Sequence, residues 1–419
     1  MTRRLVISRR VVLAGAAATA VSGCSPDVLG LSRSVRVAVS WSGPELRAFH
    51  KVLDGLGRLG YPVEVIPLGD DISTAFGARS ARRPDIVMLP QPGLVPQRRD
   101  DLEKMPSDLA DRGRARLWDE LLTHEGSTYG LPFKTAHKSA VWYRPSVFRE
   151  AQVQPPTQWD EWLELNKALS IGGIRPLALG AGDGWVLTDF LENVLLGTAP
   201  SAYRALAVAS DPRPSRVPEF AAALEQLATM WAAPGALAGG VERSLTQQFP
   251  DAVLEVFGHR RAAMVAASDF AEPVIRQFAA DPADVGLFTF PAFGAGAAAP
   301  VVVGGDVMVL PRPATDDAWD LLHRLATPAA PAPWISSGGF LVDGRTTGYS
   351  PELTRLADQL VAPETSLQFD LSDRLGELGG IDGLWRVLTD LLVRVGTRGP
   401  DVVPEAVQLA LTELAEVEG

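Results

Sequence analysis

The sequence predicts an α/β protein of two lobes, each a mainly parallel sheet flanked by helices, with a hinge between them. Two observations predict it. The chain has 419 residues, 46% of them hydrophobic, which is more than one core ordinarily absorbs. From residue 35 onward, short apolar runs of strand length alternate with segments of helix length, the order that parallel strands joined by crossover helices produce.

The amino terminus stands apart from this pattern. Residues 1–23 carry four arginines (Arg3, Arg4, Arg9, Arg10) and no acid, and an alanine-rich apolar run ends at Val21. Ser22, Gly23 and then Cys24 follow, and Cys24 is the one cysteine of the chain. A positive segment, a short apolar segment and small residues before a cut describe a secretory signal too short to be a stable membrane span. Residues 1–24 resemble a bacterial lipoprotein signal, with Cys24 as the lipid-bearing new terminus. The run SRRVVL resembles the twin-arginine export motif, with the general export route as the alternative. A single cysteine excludes an intrachain disulfide and a cysteine-based metal site. The net charge of −11 becomes −15 once those four arginines are removed, which argues against nucleic acid as a partner.

Residues 25–34 read as a tether. Residues 35–39, VRVAV, alternate and give the first strand. A turn holding Trp41, Ser42 and Glu45 opens a helix over 46–59. Strands follow at 61–66 and 84–89, the latter running straight into a Gln91-Pro92-Gly93 turn. Ligands of such sheets bind beyond the carboxyl ends of the strands, where Trp41 and Gln91 lie. Residues 130–133 form a short strand-like run leaving an exposed turn, and 139–143 a second apolar run. After the Pro155-Pro156 break, Thr157 caps a helix with Asp160 and Glu161 in its first turn.

A strand at 174–179 leads into Gly180-Ala181-Gly182-Asp183-Gly184-Trp185 and a helix over 187–196. As a dinucleotide loop this is poor, because Trp185 stands where the third glycine belongs. Residues 221–230 and 246–258 read as helices, and 261–270 as a strand and sharp turn ending at Asp269 and Phe270. Residues 291–300 read as a loop. Then 301–310 is an apolar strand interrupted by Gly304, Gly305 and Asp306, a bend where backbone crosses closely. A helix spans 317–326, a loop holds Gly338, Gly339 and Phe340, and helices over roughly 385–395 and 403–415 close the chain.

Residues 129–132 (YGLP), 141–143 (VWY) and 157–162 (TQWDEW) resemble the extracellular solute-binding proteins of ABC importers, the sugar-binding branch. The resemblance continues at 180–185, at 261–270 (with Ser268 where glycine is usual), at 301–306 and at 338–340, and covers nearly the whole mature chain. It implies a type II periplasmic-binding-protein-like fold, with chain crossings at 129–162 and again at Gly304-Gly305-Asp306. The first lobe is then 35–136 with 306–345, and the second 137–305 with 346–419, the last helices packing on both. Hinge closure near Ala136 and Gly305 would bury the ligand.

The resemblance also implies a set of cleft residues: Trp41, Ser42, Glu45, Gln91, Lys134, Trp185, Asp269, Phe270, Asp306, Gly339 and Trp385. Trp185 is the expected platform for a sugar ring, Asp269 a hydroxyl acceptor and Phe270 an apolar wall. Trp41 reads equally as an aromatic packed down on its lobe, and Trp385 equally as a buried anchor of the terminal helix. Ten tryptophans suit both core filling and stacking. The implied protein is a lipid-anchored, monomeric binding protein on the outer face of the cytoplasmic membrane. It would take a carbohydrate, oligosaccharide or glycoside, to ABC permease subunits, without cofactor or metal.

Other classes find little support. No GxxxxGK[ST] loop or GxSxG elbow is present. The five histidines lie far apart, and no run past Cys24 reaches the roughly 20 apolar residues that span a bilayer. Adjacent acids such as Asp70-Asp71 and Asp316-Asp317 read as solvated. Two readings stay beside the first: an anchored glycan-degrading enzyme with opposed carboxylates, and a chemosensory or scaffold lipoprotein on the same fold.

Overall fold

The computed structural model describes residues 34–77, 83–110, 116–344, 346–362 and 366–419; the leader, Cys24 and the tether to residue 33 lie outside the described residues. Its strands are β1 (Val35–Val39), β2 (Val63–Pro67), β3 (Ile86–Leu89), β4 (Thr123–His124), β5 (Ser127–Thr128) and β6 (Leu131–His137). There follow β7 (Ala140–Tyr143), β8 (Leu177–Ala178), β9 (Met264–Ala266), β10 (Gly286–Thr289), β11 (Pro300–Val309) and β12 (Ser366–Phe369).

The larger sheet has the order β12-β11-β3-β1-β2, with β6 paired to β11. Strand β1 lies parallel to both β2 and β3, and it is buried on either face, Val35, Val37 and Val39 on one and Ala38 on the other, as expected where helices cover both sides. The helix Gly43–Gly55 starts earlier than expected because Pro44, with its preset φ, sits in the first turn. It buries Ala48, Phe49 and Val52 on one face.

Strand β11 is buried along its whole length and runs antiparallel to β3 and β6 and parallel to β12. Residues 134–137 are therefore not the exposed turn expected but a continuation of β6. Pairing with Gly304 and Gly305 of β11 draws them into the interior, and Lys134 and His137 are almost wholly buried. Only glycine fits at 305: its φ is +147°, and a Cβ there would lie 2.1 Å from the Lys134 carbonyl oxygen.

The smaller sheet has the order β10-β7-β9-β8. Strand β7 is antiparallel to both β9 and β10, and only β8 and β9 are parallel. This sheet is thus more mixed than the expectation of a mainly parallel one. Strand β7 enters straight from β6, and β10 leads to β11 without a crossover helix. Only the β8-to-β9 connection carries the long helical excursion that parallel pairing requires. The β6–β11 ribbon joins the two sheets.

Apolar clusters fill both sides of the larger sheet, one around Trp41, Phe49 and Trp334 and one around Trp118 and Phe369. A larger cluster around Trp142, Trp162, Phe190 and Trp231 forms the core of the second lobe. The helix Gly184–Thr198 is buried on nearly every side, as an all-round apolar helix must be. The helix expected over 246–258 covers only Phe249–Phe257, and a separate helix, Gly240–Thr246, precedes it. Gln247 and Gln248 between them are extended. The helix at Trp159–Ile171 is capped at Gln158 rather than Thr157. Glu161 Oε2 accepts from the Thr157 and Gln158 N–H groups at 2.7 and 3.1 Å, which places both residues ahead of the first turn. None of the helices among the described residues is long and apolar enough to cross a membrane.

Candidate functional site

A cavity of about 370 Å³ opens where the β6–β11 ribbon passes between the lobes, within the range of about 300–1,000 Å³ usual for small-molecule sites. Side chains alternate along a strand, so Lys134, Ala136 and Lys138 all face it from β6 and the residue after it, and Gly305 and Asp306 face it from β11. The turn after β1 contributes Trp41, Ser42 and Glu45, and the turn after β3 contributes Gln91. Both turns follow the carboxyl ends of parallel strands, where such folds hold ligands. The second lobe contributes Trp185, Phe249, Phe270 and Trp385.

Nine of the eleven expected cleft residues therefore line one cavity. Asp269 and Gly339 do not. The turn at 269–271 sends Phe270 toward the cavity and Asp269 behind it, where Asp269 is fully buried and accepts the His137 N–H at 2.6 Å. Gly339 is buried beside Phe270 and donates its N–H to Glu272 at 2.9 Å. Trp41 answers to both of its readings. It lines the cavity, yet it is 3% exposed and packs against Trp334 and Phe49 at 4.7 and 5.1 Å between ring centres. Trp385 is half-buried and lines the cavity, and its side chain lies so close over Gly184 that no Cβ would fit there.

The aromatic wall is built from the second lobe. Trp185 lies 5.5 Å from Phe249 and 5.8 Å from Phe270 in tilted contacts, the Lys138 ammonium stands over its ring at 6.0 Å, and the residue stays partly exposed. The Asp183 carboxylate accepts the Phe249 N–H at 2.6 Å and so ties the glycine-rich turn to the next helix.

The ribbon carries the charge. Lys134 Nζ bonds to Glu45 and stands over the Phe270 ring at 4.7 Å. Burial opposes its charge, but Glu45, Asp306 and Asp269 outweigh burial and raise its pKa. Burial pushes Asp306 up to about 6 and Asp269 up to about 7, each against the pull of Lys134.

Lys138 was not singled out from sequence, nor were its partners. Its Nζ bonds to Asp370 and lies 3.0 Å from Asp189 Oδ1. Asp189, Glu192 and Asn193 fall at helical spacing on one face of the buried helix. Asn193 donates to the Lys138 carbonyl at 3.1 Å. Glu192 accepts from the Leu371 and Ser372 N–H groups at 2.6 and 2.9 Å and from the Tyr203 hydroxyl at 2.8 Å. Burial holds Glu192 well above the carboxylate range and pushes Asp189 up to about 7. Asp370 is held low despite its burial by Lys138, the Ser372 hydroxyl and the Asp373 N–H. The signal available in the sequence was the polar interruption at 188–193 in an otherwise apolar helix. Among the described residues no group of three or more histidine, cysteine or acidic side chains is arranged to hold a metal ion.

Residues 60–330 match the family model of the bacterial extracellular solute-binding proteins. The osmoprotective compounds-binding protein GgtB of Synechocystis sp. is 26% identical over 355 residues, covering 79% of this chain and 82% of that one. The alpha-glucosides-binding periplasmic protein AglE of Rhizobium meliloti is 24% identical over 357 residues, covering 78% and 75%. Among solved structures, a chitin oligosaccharide binding protein superposes with a TM-score of 0.73 at 16% identity, covering 92% of this chain and 99% of the other. The protein RafE in complex with raffinose superposes with a TM-score of 0.72 at 14% identity, covering 93% and 100%. The two-lobed fold is common to them, and the family match spans well over half of the sequence: the chain belongs to the bacterial extracellular solute-binding proteins.

Proposed function

We propose that this protein captures a carbohydrate, an oligosaccharide or glycoside, in the interlobe cavity and delivers it to the transmembrane subunits of an ABC importer. The observation that carries the reading is the pairing of a half-exposed Trp185 platform with converging polar groups, Glu45, Lys134, Gln91 and Asp306. Sugars present these two kinds of surface, apolar C–H faces and hydroxyls that lose water on binding. A hydroxyl left unmatched costs roughly 1–3 kcal/mol, which supplies selectivity. A relative named for alpha-glucosides, and folds solved with raffinose and maltose, support a sugar solute.

The lobe limits at 35–136 with 306–345 and at 137–305 with 346–419 belong to this proposal. Within them β12 pairs with Pro300–Val303 of β11, on the second lobe's side of Gly305, so closure would pivot on the two crossing strands, near Ala136 and Gly305. Lipidation at Cys24, export by the twin-arginine route, anchoring on the outer face of the membrane and a monomeric state complete the reading. So does the absence of catalysis, against which the raised carboxyls of Asp306 and Asp373 are the one observation. Calorimetric titration with neutral mono-, di- and trisaccharides, followed by chromatography of the mixture, tests both. One-to-one binding with the sugar recovered intact is expected; cleaved sugar would establish the enzyme instead.

A further inference from the structure

The acids around the cavity outnumber the cations, and both cations are already engaged. Lys134 is bonded to Glu45, and Lys138 to Asp189 and Asp370. Asp373 also lines the cavity. It is 8% exposed, and its carboxyl makes no hydrogen bond or ion pair with any described residue. The neighbouring Arg374 points to Glu120, at 3.8 Å. Burial and the adjacent Asp370 charge, with Asp189 and Asp306 adding to them, hold the Asp373 carboxyl well above its ordinary range against the pull of Lys138.

A carboxyl nine-tenths buried, facing a cavity and lacking a partner requires something from the ligand. A sugar hydroxyl offers a donor but no charge. An ammonium offers up to three donors and the positive charge that would let Asp373 ionise beside Asp370. A ligand carboxylate would meet Asp373 and Asp306 with both lysines already paired, and is disfavoured by like charge.

We infer that the cavity selects a carbohydrate bearing a protonated amine, an amino sugar or aminoglycoside-type unit, whose ammonium binds the Asp373 carboxylate, and that it rejects acidic sugars. This inference rests on the carbohydrate reading above and names the class of sugar within it.

The test is a matched titration of the full chain at neutral pH. The probes are glucose, glucosamine and glucuronate; galactose, galactosamine and galacturonate; and cellobiose with its glucosamine-dimer counterpart. In every series that binds, the amino member is expected to bind about tenfold or more tightly than the hydroxyl member, and the acid not at all. Asp373→Asn is expected to bring the amino-to-hydroxyl ratio toward one. Neutral members binding as tightly as amino members in the unaltered protein would overturn the inference and leave the carbohydrate reading in place. Binding of no member would overturn both.

Discussion

The Lys138 ammonium lies 3.0 Å from the Asp189 carboxylate, joining the segment that crosses between lobes to the buried helix Gly184–Thr198. Asp370 completes the contact from the residue after β12. Three stretches of chain, distant in sequence, thus meet on one cation at the edge of the cavity. Removing one member of a buried pair strands the other's charge, at a cost of about 3–5 kcal/mol. Lys138→Met is therefore expected to lower stability by that order, measured by denaturant unfolding. Adding Asp189→Asn should restore only part of the loss, because Asp370 stays buried and charged. A neutral effect of Lys138→Met would show that the network carries no stability.

Asp269 provides a pH test. Burial raises its carboxyl to about 7, so the folded protein holds a proton that the unfolded chain releases near pH 4. Its stabilising contribution is full below that value and is lost as pH rises through about 7. His137, in contact with it, is pushed down to about 4 by burial and acts oppositely: its contribution is full above its unfolded pKa of about 6.5 and is lost as pH falls toward 4. Asp269→Asn keeps an oxygen for the His137 N–H and removes the titration. Relative to the unaltered protein it should gain on the order of 2–4 kcal/mol between pH 5 and pH 8, read from unfolding midpoints. An unchanged difference between the two pH values would contradict the assignment.

Gly305→Ala places a methyl group 2.1 Å from the Lys134 carbonyl at a φ of +147°. Neither β6 nor β11 can move aside, because each is paired along the ribbon. The substitution is expected to cost about 2 kcal/mol or more and to weaken sugar binding with it. Thermal unfolding and titration of the same sample check both, and a variant as stable as the parent would show that the ribbon yields.

Trp185 is the part of the site that bears most directly on ligand. A Trp anchor in a desolvated pocket is worth about 2 kcal/mol or more on truncation, so Trp185→Ala should weaken sugar binding by roughly 30-fold or more. Trp185→Phe should recover much of it. Because Trp185 is only half-buried, the Ala variant is expected to unfold near the parent midpoint. Unchanged affinity would move the platform to Trp385.

Much of this was legible in the sequence, for identifiable reasons. Alternating valines gave β1 within the limits read, the strand ends pointed to Trp41 and Gln91, and the resemblance added Ser42 and Glu45. Gly304 and Gly305 marked a close backbone approach because such an approach excludes a side chain, and β6 is the strand that approaches there. What was not legible depended on rotation or on distance. Asp269 and Phe270 are adjacent, and only the turn decides which faces the cavity. The strand continuing through Lys134 and His137 looked like an exposed turn, since local sequence shows two polar residues and not the β11 partner that buries them. Asp189 and Asp370 meet Lys138 from positions 51 and 232 residues along the chain, and no local pattern announces such a contact.

The most direct test of the central claim is a crystal structure of the protein with the tightest-binding sugar of the titration panel. The ring is expected against Trp185, with hydroxyl or amino groups within hydrogen-bond reach of Glu45, Asp306 or Asp373. A sugar bound outside this cavity, with Trp185 untouched, would contradict the account.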